Sequence, residues 1–213
     1  TIPAMLSKNF MRFAKRPAMI LDSGKTISYD DMRWDIFKTA GTLRSLNGTN
    51  PNCVAVFIDS SPQAVETVYS VLSVGAKAVL LRYTMSPQEI CIALQEQNPE
   101  VIFIRSENMA LLPKDCSASI LEIADNRVLK DVDKGFHRER INEAVLKTQD
   151  RERVIAVTYS HGLQSTALTR KDFVGFTNKK SGEKYFDALV EYMGSLVKAF
   201  VAGRAVKTSL NCF

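Results

Sequence analysis

Residues 53–58 read CVAVFI, Asp59 closes that run, and residues 60–81 read SSPQAVETVYSVLSVGAKAVLL; the fold turns on this stretch. An apolar run without polar alternation, such as CVAVFI, predicts a strand covered on both faces. Ser60 or Ser61 then offers an N-cap. Pro62 follows in the first helical turn, where its missing N–H has no partner to lose. Val65, Val68, Tyr69, Leu72 and Val74 supply the apolar residues of a helix that Gly75 stops. KAVLL is the next strand. Strand, helix and strand in about thirty residues is a βαβ unit, which implies parallel pairing.

The same rhythm continues on both sides. SPQE at 86–89 is a capping box with proline at the first helical position, and the helix EICIALQEQ ends before Asn98-Pro99. VIFI (101–104) and SILEI (119–123) are further strands. Toward the N-terminus, Ile2, Met5, Leu6, Phe10, Phe13 and Ala14 recur at helical spacing. AMILD and KTISY form a predicted hairpin that turns at Ser23-Gly24. Ser28 or Asp30 caps the next helix, whose buried stripe is Met32, Ile36, Phe37, Ala40 and Leu43 and which Asn47-Gly48 ends. Trp34 lies beside that stripe and is expected in the core.

These alternations predict an α/β fold, a doubly wound, mainly parallel sheet flanked by helices. The charged stretch 126–152 breaks the rhythm, so the chain divides into a first α/β half (1–125), a connector (126–152) and a second α/β portion (153–213). In the last portion VIAVTYSHGLQSTALTRKDF (154–173) restarts the pattern as strand, polar loop and helix start. An apolar helix is predicted over 184–202, with a last strand at AVKTSL.

Bulk properties narrow the function classes. The chain has 213 residues, 46% hydrophobic and 24% charged, as in ordinary globular proteins. No apolar run reaches the roughly 18–20 residues of a membrane span, and the N-terminus lacks the apolar core of a signal peptide. Cys53, Cys91, Cys116 and Cys212 form no CxxC pair, and His137 and His161 are the only histidines. The cysteines are expected as buried thiols in a reducing cytoplasm, not as a zinc site. The net charge of +5 permits a nucleic-acid partner. However, the basic residues are dispersed, acids interleave the densest stretch, and no basic-aromatic platform is present.

The loop in 154–173 carries the candidate site. Strand, small polar loop and helix is a layout that cradles phosphate, and Ser160, His161, Gly162, Ser165, Thr166 and Lys171 are the groups able to touch an anion there. Gly162 is the loop's sole glycine, and no lysine occurs before Lys171. Ser160-His161 is not a nucleophilic pair, because adjacent side chains diverge and no GxSxG surrounds them.

The order of segments resembles the N-terminal part of the adenylate-forming (AMP-binding) enzymes, which include acyl-CoA synthetases, luciferases and peptide-synthetase adenylation domains. SYDDM stands at the family's "TYxEL" helix start, Asp59 with SSPQ (60–63) at "NSPE", and LSVGAKAVLL at "LxAGAxxVPL". The match runs through about residues 5–105. TYSHGLQSTA precedes LTRKDF where the family reads "TSGTTGKPKGV" and then "LTHRNL". This loop is shorter and lacks two glycines and both lysines. EYMGSLVKAFVAGRAVKTSLNCF resembles the segment after the family's "FHxxG". The resemblance implies ATP or AMP as ligand, with no cofactor certain. It also implies that the adenine-binding segment and the mobile domain with its catalytic lysine lie beyond what is matched. The chain is therefore expected to be truncated, without catalysis alone, and to act as a homodimer or with a protein partner. Tyr192, Met193, Leu196 and Phe200 on the apolar helix are the expected contact. The alternatives are the front part of a working acid ligase completed by other chains or residues, and a basic nucleic-acid-binding protein.

Overall fold

A computed structural model describes residues 8–123, 153–159 and 163–169. The expectations for residues 1–7, the 126–152 connector, the 184–202 helix and the AVKTSL strand fall outside them.

Residues 8–12 are helical and lead through a turn into the hairpin β1 (Pro17–Ile20) and β2 (Thr26–Ser28). Ser28 caps helix α1 (Tyr29–Asn47). Its hydroxyl accepts from Asp31 N–H and the Asp31 carboxylate accepts from Ser28 N–H, a complete capping box. Gly48 ends α1 with φ of 70°, a left-handed conformation that costs glycine no Cβ clash. Strand β3 (Cys53–Ile58), helix α2 (Pro62–Ser73) and strand β4 (Lys77–Arg82) are the βαβ unit of the sequence reading, with Ser61 as the cap. Helix α3 (Pro87–Gln97), strand β5 (Val101–Ile104), a short 3-10 helix (Ser106–Leu111) and strand β6 (Ser119–Glu122) follow. Strands β7 (Val154–Tyr159) and β8 (Ser165–Thr169) complete the described elements.

The main sheet has six strands in the order β6-β5-β3-β4-β7-β8. All pairings are parallel except β7 with β8, which is antiparallel. Because strand side chains alternate, the sheet separates two cores. Val54, Val56, Ala78, Leu80, Val101 and Phe103 face α1 and α2, where Ile36, Leu43, Val68 and Val71 meet them. Ala55, Phe57, Val79, Leu81, Ile102 and Ile104 face α3 through Ile90, Ala93 and Leu94. The central strands are buried on both faces, which explains their unbroken apolar sequences.

Three expectations are corrected. Trp34 is 52% exposed, with the Arg33 guanidinium 5.2 Å from its ring centroid. At about 100° per residue it stands far round α1 from Met32 and Ile36, which define the buried stripe. Of the described cysteines only Cys53 is buried. Cys91 and Cys116 are half-buried. The stretch 165–169, expected as loop leading to helix, forms β8. Its β-branched threonines suit an edge strand paired to β7.

Candidate functional site

The topology fixes where a ligand crevice would open. From β3 the chain crosses to β4 on one side, and from β5 it continues to β6 on the other. The carboxyl ends of β3 and β5 therefore flank the point where strand order reverses, the place at which open α/β sheets bind ligands.

Here that point holds an ion pair. Arg105 Nε donates to Asp59 Oδ2 at 2.7 Å, and Asp59 Oδ1 accepts from Ser61 N–H at 2.8 Å. Arg105 N–H donates to the Tyr83 hydroxyl at 3.1 Å, and the Tyr83 ring lies 5.4 Å from that of Phe57. Burial alone would raise the Asp59 carboxyl. The hydrogen bonds from Ser61 and Arg105 outweigh it and hold the group below the usual carboxylate range. Burial raises the Tyr83 phenol. The start of α2 is served from within. Ser61 Oγ accepts from Ala64 N–H, Asp59 takes Ser61 N–H, and Pro62 has none. A phosphate arriving here would meet the Asp59 carboxylate. The chain's own ion pair thus stands at this point.

The second place is the β7–β8 hairpin. Its ladder begins at Tyr159 opposite Ser165 and runs through Thr158–Thr166 and Val157–Ala167. Of the sequence-predicted groups, Ser165 and Thr166 therefore lie exposed on β8, within the ladder and outside the loop. Ser160, His161, Gly162 and Lys171 are outside the described residues, as are Tyr192, Met193, Leu196 and Phe200. Only residues 160–164 connect the two strands. Leu163 has φ of 60°, and its side chain packs against the α3-side core that contains Val157 and Tyr159. The left-handed region costs a β-carbon residue roughly 1–2 kcal/mol.

Beneath the hairpin, the Tyr159 hydroxyl donates to Glu96 Oε2 at 2.9 Å. Burial and this carboxylate push the phenol up to about 12. Cys53 Sγ lies 3.4 Å from the Gln97 carbonyl and Lys77 Nζ 3.0 Å from Gln97 Oε1. Burial raises the Cys53 thiol, so this is not an activated nucleophile. Among the described residues no cluster of three or more His, Cys, Asp or Glu side chains could hold a metal ion, and no helix is long and apolar enough to cross a membrane.

The model of the AMP-binding enzyme family matches residues 6–175, most of the chain. The chain belongs to the AMP-binding enzyme family. Among solved structures, the fold of this family member is shared by NpsA-ThdA, an artificially fused adenylation–PCP di-domain from Klebsiella oxytoca. The TM-score is 0.60 at 16% identity, over 80% of this chain and 30% of that one. The luciferase-like enzyme of the nonluminescent mealworm Zophobas morio gives 0.60 at 18%, over 83% and 44%. A fatty acyl-adenylate ligase from L. pneumophila, solved with acyl adenylate and pyrophosphate, gives 0.60 at 9%, over 82% and 31%. At these identities the likeness speaks for the fold. The chain spans less than half the length of each of these structures. No curated protein matches it.

The sequence located strand β7 and the loop after it, expected a helix start where β8 stands, and missed the Asp59–Arg105 clasp. The two residues are 46 apart, and only the positions of β3 and β5 in the sheet bring them together. Asp59 itself was the available signal, an acid directly after the apolar run 53–58.

Proposed function

We propose that this family member has kept the adenylation scaffold without a working phosphate grip, and serves as a protein-interaction or regulatory module. The observation that carries the reading is the β7–β8 hairpin. A triphosphate cradle needs several free backbone N–H groups in a flexible loop, with a cation beside them. Pairing from Ser165 onward leaves 160–164 as the whole loop, with one glycine and no lysine. Leu163 occupies a left-handed position and packs against the α3-side core. Adenylation works mainly by positioning phosphates and neutralising their charge, so this loss bears on catalysis as well as binding. A homodimer or a dedicated protein partner is the expected setting, in a soluble compartment such as the cytoplasm.

A thermal-shift screen with Mg-ATP, AMP and acyl-adenylate analogues tests this. A ligand at about 100 times its dissociation constant adds roughly 2.7 kcal/mol of stability. No shift is expected with any of them, and a clear shift with ATP would overturn the reading.

The second reading is the front portion of an ATP-dependent carboxylic acid ligase completed by further residues or another chain. The family match across 6–175 supports it. ATP–pyrophosphate exchange that appears once the complementary portion is supplied would decide for it.

A further inference from the structure

The described N-terminal segment carries a surface the nucleotide site does not explain. Between residues 8 and 28, Lys8, Arg12, Lys15, Arg16 and Lys25 stand exposed against one acid, Asp22. None of the five forms an ion pair among the described residues. Of the nearby acids, the Asp30 carboxylate pairs with Arg33, and the Asp31 carboxylate accepts from Ser28 and faces only Lys25 of the five cations. Among the same residues are the two most exposed large apolar side chains described, Met11 at 64% and Ile20 at 72%.

This segment is a packed part of the fold. Phe10 is buried against Tyr29 and Phe37, and Phe13 packs on Tyr29 with ring centroids 6.1 Å apart. Tyr29 N–H donates to the Arg16 carbonyl and Asp30 N–H to that of Ala14, both at 3.0 Å. The guanidinium carbons of Arg12 and Arg16 lie 5.2 and 5.3 Å from the centroid of the Phe13 ring. One aromatic ring thus holds two like charges close together, an arrangement that an external anion stabilises.

We propose that the surface formed by Lys8, Met11, Arg12, Lys15, Arg16 and Ile20 docks the protein onto an anionic lipid bilayer. The cations match the charge of acidic headgroups, each contributing about 1 kcal/mol near such a surface. Met11 and Ile20 enter the boundary between headgroups and acyl chains, where exposed aliphatic side chains gain by leaving water. Nucleic acid fits the same charge less well. Single strands stack their bases on open aromatic faces, whereas the Phe13 ring already carries Arg12 and Arg16, the exposed Trp34 ring on α1 carries Arg33, and the exposed large apolar groups of this segment, Met11 and Ile20, are not aromatic.

Co-sedimentation of the full chain with vesicles tests the proposal. Vesicles of phosphatidylcholine with about 30% phosphatidylserine should bind, pure phosphatidylcholine should bind far less, and about 0.5 M salt should release the protein. R12Q/R16Q should weaken binding about 25-fold, at roughly 5-fold for each lost charge. M11S/I20S should weaken it about tenfold with the salt dependence kept. Circular dichroism and melting curves matching the parent establish that both variants are folded. Equal binding to both vesicle types, or binding untouched by either variant, overturns the proposal. So does tighter binding to a short RNA or DNA than to the acidic vesicles. A homodimer that M11S/I20S dissolves, with vesicle binding unchanged, would also overturn it and make the surface an interface between copies.

Discussion

Replacing Arg105 with methionine tests whether the clasp over the switch point is a structural element. The Asp59 and Arg105 side chains are 30% and 14% exposed, so the pair is neither free in water nor fully enclosed. An exposed pair contributes about 0–1 kcal/mol, whereas removing one partner of a buried pair costs about 3–5 kcal/mol. The burial here places R105M between these limits, at a loss of about 2 kcal/mol. Tyr83 is held by the backbone N–H of Arg105, so that contact survives and the loss reports the side chain alone. Urea unfolding of the wild type, R105M, D59N and the double variant forms a closed cycle with a coupling of about 1–2 kcal/mol. The pH dependence has a definite sign. Asp59 is held below its ordinary range, so its contribution is present above the unfolded value of about 4 and is lost as pH falls through the lower folded value. The gap between wild type and R105M should therefore narrow below about pH 4. A coupling near zero, or a gap that widens in acid, would refute the clasp.

Other residues give independent tests. Leu163→Ala keeps the left-handed strain and loses the core contact, so it should cost about 1–2 kcal/mol, with Leu163→Gly nearer the wild type in the same urea assay. A glycine variant less stable than the alanine variant would contradict the strain. Ser86→Ala removes the hydroxyl that accepts from Glu89 N–H at 3.2 Å, and should lower stability by about 1 kcal/mol in thermal melts. Tyr159 stays neutral in the folded state up to about 12, so its contribution holds below the ordinary value of 10.0 and falls away above it. Tyr159→Phe should flatten that alkaline loss in melts across the range.

Most of the scaffold was legible because its signals are local. Ser28, Ser61 and Ser86 cap their helices through side-chain geometry within three residues, and Gly48 ends α1 by its own backbone freedom. The doubly covered strands show as CVAVFI, KAVLL and VIFI because burial on both faces excludes polar residues. What escaped was set by distant neighbours or by competing local cues. STALT carries the small polar residues of a loop, yet pairing with β7 makes it a strand. Leucine gives no sequence sign of a left-handed turn, and Leu163 adopts one while packed against the α3-side core. Trp34 reads as core because it lies beside the apolar stripe, but the angular position on α1 decides, and Met32 and Ile36 claim the buried face.

Isothermal titration of the full chain with Mg-ATP measures the central claim most directly. The hairpin closed at Tyr159–Ser165, with Leu163 anchored, should give no saturable heat up to millimolar nucleotide, which places any affinity weaker than about −4 kcal/mol. A one-to-one isotherm with a dissociation constant of about 10 µM or below, roughly −7 kcal/mol, would contradict it.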